Sequence, residues 1–76
     1  MVQTQIILKD VQAVRDFVRQ VILLDYEVDL VQGRYIVDAK SIMGIFALDT
    51  LSPINLVAHT DNVGDFFEKI DGFIVK

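Results

Sequence analysis

Apolar and polar positions change period several times along this 76-residue chain, and each change marks an element. Val2 to Leu8 is rich in Ile, Val and Thr and reads as a first strand, although Ile6-Ile7-Leu8 is continuously apolar. From Val11 the spacing becomes three and four: Val11, Val14, Phe17, Val18, Val21 and Ile22 recur with Gln12, Arg15, Asp16 and Arg19 between them. Asp10 stands where an N-cap carboxylate accepts from an unpaired backbone N–H, so a helix is predicted over Val11–Leu23. Tyr26, Val28 and Leu30 alternate with Glu27, Asp29 and Val31 as a half-buried strand. Gln32-Gly33 reads as a two-residue turn, and Arg34 to Asp38 completes a hairpin. Ser41 caps a short helix over Ile42–Leu48, in which Gly44 costs about 1 kcal/mol relative to Ala.

Ser52-Pro53 breaks the chain before a last strand, Ile54 to His59. There Ile54, Leu56 and Ala58 face one way and Asn55, Val57 and His59 the other. Thr60-Asp61-Asn62 supplies caps for a final helical pattern of Val63, Phe66, Phe67, Ile70, Phe73 and Ile74. Gly72 is placed to end that helix early and leave Phe73-Ile74-Val75 as a packed tail. The order is β-α-β-β-α-β-α. Connections are short, and no linker, repeat or low-complexity segment divides residues 1–76, so a single domain is expected. Three amphipathic helices on one face of a four-stranded, mostly antiparallel sheet make an α+β, open-faced two-layer sandwich.

Composition narrows the function. No cysteine is present, so no disulfide staples a core that at this size supplies only about 3–5 kcal/mol. Hydrophobic residues reach 53%, above the usual fraction of roughly 45–50%. That excess favours a dense core or a covered partner surface, and leaves a homo-oligomer open. A net charge of −4 with seven scattered basic residues argues against nucleic-acid binding. The amino-terminal residues lack the basic and long apolar stretches of a signal peptide, so none is expected, and Val21-Ile22-Leu23-Leu24 is far too short to span a membrane. The expected setting is cytoplasmic.

Catalytic side chains are scarce. With one histidine, no Cys–His or Ser–His–Asp set assembles, and no cofactor is expected. His59 would share a strand face with Asp61, but two ligands are too few for a metal. Asp25, Glu27 and Asp29 form an alternating acidic row able to hold a cation weakly, more simply read as a solvated sheet face. No phosphate-cradling glycine loop is present. A binding or regulatory module fits better than an enzyme.

One segment carries more. Asp38-Ala39-Lys40-Ser41-Ile42-Met43-Gly44, followed by Leu48, resembles the regulatory-serine region of the HPr family, the phosphocarriers of the bacterial sugar phosphotransferase system. The resemblance covers nearly the whole chain, because the element order is also that of the family. It implies an HPr-like fold. It also implies that Ser41 corresponds to a serine phosphorylated by a dedicated kinase, with Lys40 beside it. The exposed side of the Ile42–Leu48 helix would dock protein partners, which the resemblance makes phosphotransferase-system components. Ile45 and Leu48 look like core, leaving Met43 and Phe46 as the contact candidates.

The family's other motif, Gly-X-His-X-Arg-Pro at the first helix start, is missing. Aligning Phe17-Val18 with the family's first-helix core puts Asp10 near the histidine position, Gln12 near the arginine and Ala13 near the proline. Asp10 would repel a phosphate and Gln12 cannot neutralise one. The resulting expectation is an HPr-like interaction or regulatory protein that carries no phosphohistidine. Two alternatives stand beside it: a phosphotransferase-related protein regulated at Ser41, and a small-molecule-binding module of the ACT or ferredoxin-like type. Strand order separates the last from the others, since adjacent central first and third strands would mark the ferredoxin-like plan.

Overall fold

A computed structural model describes residues 1–75; Lys76, the last residue of the expected domain, lies outside them. The strands are β1 (Val2–Ile6), β2 (Val28–Gln32), β3 (Tyr35–Asp38) and β4 (Ile54–Ala58). The helices are α1 (Val11–Val21), α2 (Ile42–Ile45) and α3 (Val63–Ile70), with a 3-10 turn at Asp71–Phe73. The sheet runs β1-β4-β2-β3, and every pairing in it is antiparallel. The first strand therefore lies at an edge beside the last, which rules out the ferredoxin-like arrangement.

Strand alternation directs Val28 and Leu30 of β2, and Ile54, Leu56 and Ala58 of β4, into the core. Val14, Phe17 and Val21 of α1 and Phe66 and Ile70 of α3 close over them. Val11 and Ile22, predicted on the apolar stripe of α1, are exposed instead. At about 100° per residue they lie roughly a quarter turn from the Val14–Phe17–Val21 line, beyond the sheet's reach.

Several boundaries differ from the sequence expectation, each for a local reason. Helix α1 ends at Val21 rather than Leu23, because Leu24 donates its N–H to Val21 O at 3.0 Å and turns into the core. The hairpin turn is Gly33-Arg34, not Gln32-Gly33, since Gln32 pairs with Tyr35. Gly33 carries φ 59° while Arg34 keeps a negative φ, the pattern of a type II′ turn that suits strand twist. Helix α2 stops at Ile45, not Leu48. There the bonds tighten to three-residue spacing, with Ala47 donating to Gly44 O and Leu48 to Ile45 O. Gln32 then anchors the following loop, donating to Asp49 O at 2.8 Å and accepting from Asp49 N at 2.7 Å.

The tail follows the expectation in kind. After the 3-10 turn, Ile74 bridges Ile6, Ile7 N donates to Phe73 O at 3.0 Å, and Val75 N donates to Gln5 O at 2.9 Å. Phe73 sits edge-on to Phe17, with ring centroids 5.5 Å apart. The tail thus covers part of the exposed edge of β1, where unpaired backbone groups would otherwise invite other strands.

Candidate functional site

The start of α1 is built around Asp10. Its extended backbone precedes the helix, and its Oδ1 accepts the Ala13 N–H at 2.7 Å. One of the unpaired helix-start donors is thereby held by the chain's own carboxylate. A proline at position 13 would have no N–H to give, so Asp10 with Ala13 forms a self-consistent capped start. Gln12 turns along the helix and donates to Asp16 Oδ1 at 2.9 Å, so its amide is committed there. Lys9 and Arg15 are exposed, and neither has an ion pair among the described residues.

The start of α2 uses the same device. Ser41 Oγ accepts the Gly44 N–H at 3.2 Å, and Ser41 itself is exposed. Gly44 faces a tight wall: a Cβ there would lie 3.3 Å from both Ser41 Oγ and Val37 Cβ. The glycine that weakens α2 by propensity is what lets it approach β3 and keep its cap. Lys40 does not lean on Ser41. Its ammonium donates to Leu24 O at 2.8 Å, where it neutralises the carbonyl end of the turn after α1.

Ile45 and Leu48 are buried as expected, and Ile42 packs partly against the core. Met43 is 78% exposed and Phe46 46% exposed, so α2 presents both to solvent. Helices α1 and α2 touch.

His59 has a different partner from the one expected. Asp61 lies beyond the end of β4 and pairs with the Met1 ammonium at 3.5 Å. His59 Nε2 instead stands 2.9 Å from Asp29 Oδ2, across the β2–β4 junction. The acidic row is also broken: β2 begins at Val28, so Asp25 and Glu27 precede it and only Asp29 stands on the strand. Among the described residues no group of three or more His, Cys, Asp or Glu side chains is placed to hold a metal.

A feature absent from the sequence reading adjoins Asp10. The loop before α1, the first turns of α1 and the tail enclose an open cleft of about 380 Å³, with Lys9, Asp10 and Asp16 on its polar side and Phe73 and Ile74 on its apolar side. Nothing in the local pattern could reveal it, because its walls come from opposite ends of the chain.

No protein-family model and no curated protein matches the sequence. Solved structures do. HPr-C-His from Thermoanaerobacter tengcongensis superposes with a TM-score of 0.81 at 22% identity, over 97% of this chain and 91% of that one. The phosphocarrier protein HPr from Bacillus anthracis str. Ames superposes with a TM-score of 0.74 at 23% identity, over 97% of this chain and 96% of that one. The chain therefore has the HPr-like α+β fold. Among the described residues no helix is long and apolar enough to cross a membrane.

Proposed function

We propose that this chain is an HPr-like regulatory or interaction module that docks a protein of the phosphotransferase system through α2 and carries no phosphohistidine. The observation that supports it most directly is the Asp10–Ala13 cap. Where the resemblance would put a phosphoacceptor imidazole, a carboxylate already takes the helix-start N–H. An anion at the Ala13 N–H would meet the Asp10 charge and a committed Gln12 amide, with no arginine at the aligned position 12 and the Lys9 cation displaced to the neighbouring cleft. The apolar pair Met43 and Phe46 supplies the contact surface, since a flexible thioether and an aromatic ring adapt to a partner at low cost. Ser41 serves as a helix cap in this reading, and Lys40 is tied to Leu24 rather than poised over the serine.

The test is to titrate the isotope-labelled chain with enzyme I and phosphoenolpyruvate, following amide signals and intact mass together. The expected result is perturbation centred on Met43 and Phe46, lost in Met43→Asp, with no added phosphate. An acid-labile phosphate on the chain would overturn the loss of carrier function, and undisturbed α2 signals would overturn the docking assignment. Incubation with ATP and an HPr kinase is expected to leave the mass unchanged. Addition on Ser41 would replace this reading by one in which phosphorylation regulates the module.

A further inference from the structure

The cleft beside Asp10 lies outside the α2 surface, and its lining has a chemistry of its own. Its volume, about 380 Å³, falls at the small end of ligand-sized clefts, roughly 300–1,000 Å³. One side is apolar: Phe73, fixed edge-on against Phe17, and Ile74, fixed by its bridge to Ile6. The other side carries both signs of charge. Lys9 has no hydrogen bond or ion pair among the described residues. Asp10 and Asp16 each commit Oδ1 within the chain, to Ala13 N and to Gln12 Nε2, while Oδ2 of each makes no such bond among the described residues. Arg19 approaches Asp16 only at 3.8 Å.

Gly72 bears on the same space. It lines the cleft without a positive φ, and a Cβ built on it would meet nothing within 4 Å. The backbone does not require glycine there, and a side chain at this lining position would start in open space. A lone cation, two carboxylates and an apolar wall match a molecule with a carboxylate, an ammonium and a short hydrocarbon arm.

We propose that this cleft binds a free α-amino acid with an apolar side chain. Its carboxylate faces Lys9, its ammonium faces Asp10 and Asp16, and its side chain lies on Phe73 and Ile74. The assignment is independent of any partner on α2. Both ionic contacts are solvent-accessible and individually weak, so affinity depends on making them together with the apolar contact.

The test uses the full chain and amide chemical shifts. L-Leucine is the probe, isoamylamine lacks its carboxylate, and 4-methylvalerate lacks its ammonium. Leucine is expected to give saturable shifts confined to Lys9–Ala13 and Gly72–Ile74, with a dissociation constant on the order of 1 mM. Each analogue should bind at least about tenfold more weakly, the loss expected for one missing contact. Gly72→Phe, which adds a ring at the cleft's lining, should abolish the leucine shifts. Lys9→Gln changes an exposed loop residue and keeps the fold measurable should the glycine variant fail to fold. It should weaken leucine about tenfold and leave isoamylamine unchanged. The proposal is overturned by the absence of saturable shifts, by shifts centred elsewhere, by analogues that match leucine, or by leucine binding that survives in a folded Gly72→Phe.

Discussion

Replacing Asp10 by alanine isolates the contact on which the reading of α1 turns. The carboxylate accepts one N–H, from Ala13 at 2.7 Å, at the short end for such a bond. N-cap truncations cost about 0.5–2 kcal/mol, and an anion at a helix start gains a few tenths more from the dipole. Asp10 is exposed, so water can solvate the freed N–H and the expected loss is about 1 kcal/mol. In a domain of this size that lowers Tm by about 4–8 °C. Thermal unfolding followed by circular dichroism reads it directly. Asp10→Ser and Asp10→Asn keep a capping oxygen and should recover most of the loss, whereas Asp10→His should melt near Asp10→Ala. Melting of Asp10→Ala with the parent protein, or of Asp10→Ser as low as Asp10→Ala, is the refuting outcome. Either result would mean that the Asp10–Ala13 bond does not hold the helix start, and the argument that the site is closed to a phosphate would lose its basis.

Other predictions follow from single contacts. Gly33→Val forces a branched side chain into φ 59° and should cost at least about 1–2 kcal/mol in denaturant titration, with Gly33→Asn much milder. Gly44→Val should destabilise by about 1–3 kcal/mol despite the better helix propensity, because its Cβ lies 3.3 Å from Val37 Cβ and Ser41 Oγ. The Tyr26 hydroxyl oxygen is buried and has no hydrogen-bond partner among the described residues. Its burial first, then the carboxylates of Asp65 and Asp25, raise its pKa above the ordinary 10.0. The unfolded chain therefore loses the phenolic proton first, so this contribution to stability is complete below pH 10 and is lost as pH rises beyond it. Tyr26→Phe should be as stable as the parent at neutral pH or better by about 1 kcal/mol, with a flatter alkaline decline in equilibrium unfolding.

Local pattern determined much of this molecule. The three-and-four spacing of Val14, Phe17 and Val21, the capping positions of Asp10 and Ser41, the Thr60-Asp61-Asn62 run from which the structure uses Asn62, and the alternation of Ile54, Leu56 and Ala58 are all properties of short segments. Their physics acts over one or two turns or a few strand residues, so they could be read without knowing what packs on what. The exposure of Met43 and Phe46 against the burial of Ile45 and Leu48 was legible for the same reason. The tertiary structure decided whatever depends on which distant segments meet. Strand order set β1 beside β4 and removed the ferredoxin-like alternative. The β2–β4 pairing gave His59 to Asp29 instead of its near neighbour in sequence, Asp61. Lys40, adjacent to Ser41 along the chain, was drawn to the carbonyl of Leu24. The cleft exists only because the tail returns to β1 and stands over α1. Such partners are selected by burying apolar surface across the whole fold, and that choice leaves no local period to read.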